Sequence, residues 1–232
     1  MKGKQLQPAI IPRSLDVQAA DVIREQILNG TLAPGSRLLE INLAEQFNLS
    51  RATIRSALQQ LTYEGLVVQL PYKGCTVSGL SSQDAWELYT LRSALESLAA
   101  GLAAVAITPS QAKELNAGLQ QLVKAVQKGN WSQIADADFA LHKAIIQLAG
   151  HRRLQEQYKI VEQQIRLYII SCNAIHPDLD DIVEQHRKLV NAICSGDDKS
   201  AEQIARDHNI DGKALVEHLR AIEKQNLEQT KS

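Results

Sequence analysis

Between Leu39 and Val77 the chain reads LEINLAEQFNLSRATIRSALQQLTYEGLVVQLPYKGCTV, and nearly every residue there is committed to a helix, a turn or a strand. Leu43, Ala44 and Phe47 are the apolar positions of a short helix. Asn48-Leu49-Ser50 makes a turn, and Ser50 suits the N-cap of a second helix opening at Arg51. In that helix Ile54, Ala57, Leu58 and Leu61 recur at helical spacing and must face a core. Gly65 fits the residue just past its C-terminus. Leu66–Leu70 reads as a strand, Pro71–Gly74 as a turn and Cys75–Ser78 as the returning strand.

Helix, tight turn, helix, then a two-stranded wing is the order of a winged helix-turn-helix, a fold that reads DNA. The apolar stripe of the second helix leaves Arg51, Thr53, Arg55 and Gln59 facing solvent, where they can meet base edges and phosphates. The wing tip adds Lys73 and Gly74. Upstream, Val17, Ala20, Val22, Ile23, Ile27 and Leu28 make an amphipathic first helix ending at Asn29-Gly30. Residues 1–79 hold eight Lys/Arg against six Asp/Glu, and the remainder 17 against 20. The positive excess sits on the DNA-reading end but is thin. Two copies on a two-fold operator would double the phosphate contacts, so a homodimer is expected.

The length of 232 residues suits two domains, and 44% hydrophobic residues can supply a real core. No apolar run approaches the roughly 20 residues needed to span a bilayer, so no membrane partner is expected. Cys75, Cys172 and Cys194 are odd in number and far apart, with no CxxC, and read as reduced thiols of a cytoplasmic protein.

From Ser81 the strand signals stop. Helical patterns run over Ser82–Ala106, with Ala85, Leu88, Leu91, Leu95, Leu98 and Leu102 on one stripe, then Pro109–Gln127, Trp131–Ala149, Arg152–Asn173, a fifth helix to Cys194, and Lys199–Gln225. The expected fold is therefore mainly α: a winged helix-turn-helix followed by an all-α bundle of about six helices. The domains are a lead-in over 1–14, the DNA-binding unit over 15–79, a linker at 80–81, the bundle over 82–226 and a tail over 227–232.

Polar residues interrupt three of the bundle's apolar stripes. Asp138 and His142 lie one turn apart among Ala135, Phe139, Ile145 and Ile146. His186 falls amid Ile182, Val183, Leu189, Val190 and Ile193, and His208 amid Ala201, Ile204, Ala205 and Leu215. A buried carboxylate is costly unless paired or metal-bound. One carboxylate and three imidazoles suit a divalent ion such as Zn²⁺, Ni²⁺ or Mn²⁺, with a position left for water or an effector. His151, His176 and His218 lie at breaks or on polar faces and read as solvated. Arg92, at the edge of the first bundle stripe, is placed either to clamp a carboxylate or to pair with Glu96 one turn on.

The run LAEQFNLSRATIRSALQQLTYEGLV followed by KGCTV, with the connector LAPGSRL before it, resembles the GntR family of bacterial transcription regulators. One departure is Ile41, where members often carry a basic residue after the glutamate, here Glu40. The bundle's opening LYTLRSALESLAAGLAA, with Arg92 and Glu96 at the matching places, resembles the FCD ligand-binding domain of the FadR-like branch. Together the resemblances cover about residues 15–220. They imply a ligand-responsive regulator, a repressor by family habit, that binds operator DNA. The Asp-x-x-x-His, His and His pattern of the metal-binding FCD subset falls on Asp138, His142, His186 and His208; Leu141 stands where Phe is frequent, and His151 where Asn is frequent.

The resulting expectation is a small organic acid as effector, with Arg92, Arg166 and Asn173 as the candidate contacts. Two rivals follow from the same residues. One is a DNA-binding protein whose metal is purely structural, and the other a metal-dependent hydrolase in which the open coordination position activates water.

Overall fold

The computed structural model describes residues 13–70, 74–175, 179–208 and 211–229, side chains 173–175, 211, 227 and 229 excepted. The chain divides into two compact units, Met1–Val77 and Ser78–Ser232. All but Arg13 and Ser14 of the expected lead-in lies outside the described residues, as do Lys73 and His176.

The first unit runs α1 (Leu15–Leu28), β1 (Arg37–Leu38), α2 (Glu40–Phe47), α3 (Arg51–Tyr63), β2 (Val67–Leu70) and β3 (Gly74–Val77). Asn48 takes the left-handed conformation (φ 53°) that closes α2, and Ser50 Oγ accepts from the Thr53 amide at 3.1 Å to start α3. Ile54, Ala57, Leu58 and Leu61 are buried as the periodicity requires, against Ala19, Ala20, Ile23 and Ile27 of α1. Val22, expected on that apolar face, is instead 48% exposed, and Ala19 takes the buried place. Arg24 ties α1 to the end of α3: its Nε and Nη2 each donate to Glu64 at 2.7 Å, and Nη1 to Asp21 at 2.6 Å. This fork-to-fork pair is shielded from water, so it is stronger than a surface ion pair. The sheet is antiparallel in the order β1-β3-β2, with Leu38 opposite Cys75 and Leu70 opposite Gly74. The connector strand β1 thus joins the wing.

The second unit is helical throughout: α4 (Ser82–Ala106), α5 (Pro109–Lys128), α6 (Trp131–Leu148), α7 (Arg152–Ile175), α8 (Leu179–Ser195), α9 (Asp198–His208) and α10 (Asp211–Gln229). Capping boxes open α4 (Ser81/Asp84) and α5 (Thr108/Gln111, with Pro109 in the first turn). The closing helix expected over Lys199–Gln225 is two helices, α9 and α10, on either side of residues 209–210. The described bundle therefore has seven helices where about six were expected. Gly212, in the first turn of α10, is buried so closely against Tyr168 and Tyr89 that a Cβ there would collide with both side chains.

Helix α4 is the hub, touching α6, α7, α8, α9 and α10. Its buried face differs from the leucine stripe expected of it. Ala85, Arg92, Glu96, Ala99, Ala100 and Ala103 face inward, while Leu91 and Leu98 are 43% and 47% exposed. Small residues on the inner face let five neighbouring helices approach one axis, which a leucine row would prevent. Among the described residues no helix is long and apolar enough to cross a membrane.

Candidate metal centre and nucleic-acid interface

Four helices bring their polar residues to one buried point. Asp138 and His142 share a face of α6, and His142 Nε2 lies 3.3 Å from Asp138 Oδ1. Helix α8 adds His186, whose Nε2 is 3.2 Å from His142 Nε2 and 3.3 Å from Asp138 Oδ1. The last turn of α9 adds His208, its Nε2 3.1 Å from His142 Nε2. The ligand atoms of the three histidines lie within 4.8 Å of one another, and Asp138 reaches two of them. From α4, Glu96 Oε2 sits 3.0 Å from His142 Nδ1.

The second nitrogens decide the chemistry. His186 Nδ1 is 2.7 Å from the Ile182 carbonyl, which only accepts, so Nδ1 carries a proton and Nε2 is the nitrogen turned toward the other residues of the cluster. Glu96 stands behind the ring of His142. Burial alone would raise the Glu96 pKa; Arg92 first, then His142, outweigh it and hold the carboxyl down at about 2. Glu96 Oε2 and His142 Nδ1 are 3.0 Å apart, an ion-pair contact that sets the Glu96 charge behind the His142 ring and turns Nε2 toward His186. Burial, then the charges of His186 and His142, hold His208 well below the ordinary imidazole pKa. Its Nδ1 is buried without a partner. Burial opposes ionisation of Asp138 as well, but His186 and His142 keep it a carboxylate.

His142 Nε2 lies 3.2 Å from His186 Nε2 and 3.1 Å from His208 Nε2, a spacing that a shared proton or a bound cation can bridge. Metal–ligand distances of about 2.0–2.2 Å give ligand–ligand edges of roughly 3.0–3.5 Å, the range of the distances from His142 to Asp138, His186 and His208 and from His186 to Asp138. The donor set therefore fits a borderline divalent ion. The Glu96–His142 pair and the Ile182 carbonyl supply the outer hydrogen bonds that fix ring orientation in such centres. Glu96 is the residue that sequence reasoning undervalued: it figured only as a partner for Arg92.

Arg92 is buried and donates from Nε to Glu96 at 2.9 Å, with its guanidinium 5.9 Å from the Tyr168 ring centroid. Both readings offered for it can therefore hold together. The ion pair uses Nε, and among the described residues neither Nη has a hydrogen-bond partner. Tyr168, also buried, has a hydroxyl that meets no hydrogen-bonding oxygen or nitrogen. Tyr158 donates to Glu96 Oε1 at 3.2 Å, and burial, followed by the Glu96 charge, raises its pKa well above the ordinary value. Arg166 is not joined to this cluster by its ion pair: Nη2 bonds Asp136 on α6 at 2.7 Å. The Asn173 side chain lies outside the described residues. His151 is exposed and caps α7 through Nδ1, 3.1 Å from the Leu154 amide, and His218 is exposed.

In the first unit the side chains of Arg51 and Arg55 are 63% and 55% exposed at the start of α3, and Gln59 is exposed on the same helix. Thr53 is half-buried, its hydroxyl 2.9 Å from Ser50 Oγ. Glu40, at the first turn of α2, takes Arg55 in a two-pronged pair: Nε to Oε1 at 2.9 Å and Nη2 to Oε2 at 2.7 Å. Arg51 Nη2 is 3.7 Å from the same Oε2. The hydrogen bond from Arg55 is the largest influence on Glu40 and lowers its pKa. Gly74 opens β3 at φ +83°, a conformation that side-chain-bearing residues rarely adopt. Ile41 is 52% exposed.

Comparison with known proteins agrees with both halves. Residues 15–77 match the model for bacterial regulatory proteins of the gntR family, and residues 87–211 match the FCD domain. The probable D-xylose utilization operon transcriptional repressor of Paenarthrobacter nicotinovorans is 27% identical over 191 residues, covering 82% of this chain and 84% of that protein. The transcriptional repressor RspR of Escherichia coli is 25% identical over 223 residues, covering 96% and 95%. The solved structure of E. coli McbR/YncC superposes with a TM-score of 0.73 at 26% identity, covering 89% of this chain and 99% of that one. With a winged helix-turn-helix and an FCD bundle matched in order along the chain, the protein belongs to the GntR family of DNA-binding transcription regulators, in its FCD-domain branch.

Proposed function

We propose that this regulator is a homodimeric, cytoplasmic repressor whose bundle (residues 82–226) holds a divalent metal and senses a small organic acid, releasing or engaging an operator through the winged unit (residues 15–79). The carrying observation is the convergence of the Nε2 atoms of His142, His186 and His208 beside Asp138, with Arg92 tied to the same cluster through Glu96. The metal would be Zn²⁺, Ni²⁺ or Mn²⁺ and would supply a Lewis-acid anchor for a carboxylate. Arg92 would grip the acid with its Nη edge while Nε stays on Glu96. Binding that favours one of two head placements biases operator affinity by that difference.

A purely structural metal would not require a buried guanidinium with donors to spare. A hydrolase would require a general base, yet Glu96 is engaged by Arg92, His142 and Tyr158, and Asp138 by two histidines. The test is a panel of small hydroxy acids, sugar acids and simple carboxylates added to the metal-loaded protein. At least one member is expected to raise the melting temperature and to change operator affinity, with no turnover detected by chromatography. Turnover would favour the hydrolase, and a panel without effect the structural metal.

The partner surface proposed for dimerisation is the outer face of α4. Leu91, Leu98 and Val105 recur every seven residues there, 43%, 47% and 73% exposed, with Trp86 at 47%. Such a seam is self-complementary, which a two-fold dimer requires, and exposed apolar stripes of this kind mark interaction sites. Leu98→Glu is expected to halve the mass measured by light scattering while leaving the helical circular dichroism intact. An unchanged mass would place the interface elsewhere.

A further inference from the structure

The pairing of Glu40 with the recognition helix has a consequence for how operator is told from other DNA. An arginine has two forks: a side edge made by Nε with one Nη, and an end edge made by the two Nη groups. In Arg55 the side edge is taken by Glu40, through Nε to Oε1 and Nη2 to Oε2. The end edge remains, and it is the edge that bites guanine O6 and N7. Glu40 also lies 3.7 Å from Arg51 Nη2, so one carboxylate sits against both exposed arginines of the first two turns of α3. Its own position is fixed, since it opens α2 directly after β1, and Leu38 of β1 is paired with Cys75 of the wing. Glu40 thus stands where the wing strand, α2 and α3 meet.

We propose that Glu40 is a positioning residue for operator discrimination. It aims Arg55 at a guanine edge, and it withholds Arg55 and Arg51 from indiscriminate phosphate binding. On random DNA a phosphate must compete with a carboxylate already in place. On the operator the Glu40–Arg55 pair persists, because the guanine uses the other fork. The two effects pull in the same direction: specific affinity is raised and non-specific affinity is lowered. This inference rests on the reading of Arg55 as a DNA contact.

The experiment uses the full-length protein and two duplexes of equal length: one selected from a random pool by the wild type, and a scrambled copy. Glu40→Gln keeps the size of the side chain and removes the charge. Its affinity for the scrambled duplex is expected to rise several-fold, with a steeper dependence on salt as the released arginines engage phosphates. Its affinity for the selected duplex is expected to fall about tenfold at fixed salt as Arg55 loses its aim. A merely structural role would lower both affinities together, along with the melting temperature, and would overturn the proposal; so would an unchanged ratio. Arg55→Ala, run alongside, separates the failures. If it binds the selected duplex normally, the DNA-contact reading falls and this inference with it. If it loses the duplex while Glu40→Gln leaves the ratio intact, only the role of Glu40 is refuted.

Discussion

Replacing His186 and His208 together with alanine is expected to abolish metal binding, read by elemental analysis of the purified protein against about one ion per chain in the wild type. Two of the three imidazoles are then gone, and Asp138 with His142 cannot hold a divalent ion against exchange with buffer. Stoichiometric metal in the double variant would show that the ligand set is wrong. Glu96→Gln makes a second test: it keeps every ligand and removes the charge behind His142 Nδ1, which is also the charge opposite Arg92. Loss of such a partner weakens metal binding by roughly 10–100-fold. The pH dependence has a definite sign. Metal binding needs neutral imidazoles, so affinity falls on acidification. Burial lowers the His142 pKa, but Glu96 and Asp138 outweigh burial and set it above the ordinary 6.5. Protons therefore compete for that ligand from above 6.5 downwards, and Glu96→Gln, removing the leading cause of the rise, should move metal release to lower pH while weakening the site overall.

How far the sequence could be read depended on whether local chemistry or helix crowding decided the outcome. The recognition helix was legible because Ser50, Ile54, Leu58 and Leu61 leave one way to cap it and one face to bury. The histidines were legible for a related reason: each interrupts an apolar stripe, and three interruptions by ligand-type residues on separate helices invite a common centre. Strand β1 was not, since two residues carry no alternation and pair only because β3 lies beside them. The face of α4 was misjudged because leucines outweigh alanines in any hydrophobic count. The helix at the hub of the bundle instead turns its small residues inward and carries leucine on the outside. Glu96 was missed as support for the metal centre because its partner His142 is 46 residues away in sequence, and a one-turn spacing to Arg92 supplied a local explanation.

Arg55→Ala is expected to abolish operator recognition while leaving both units folded. The side chain is more than half exposed, on the solvent face of a helix whose packing rests on Ile54, Ala57, Leu58 and Leu61. Truncation therefore opens no cavity, and the melting temperature should hold. The loss at the DNA is larger than one contact suggests. In a two-fold complex each substitution counts twice, so removing one guanine-reading fork per half-site should cost on the order of 100-fold or more in affinity at fixed salt. Glu40 adds to this, because without Arg55 its carboxylate faces the duplex with only Arg51, 3.7 Å away, to balance it. The double variant Arg55→Ala, Glu40→Gln should accordingly recover part of the affinity, and the recovered part should be the same on operator and on scrambled DNA, since it comes from relieving repulsion and carries no sequence information. Anisotropy titrations of the single and double variants measure both quantities. Wild-type affinity in Arg55→Ala would mean that α3 is not the element that enters the groove.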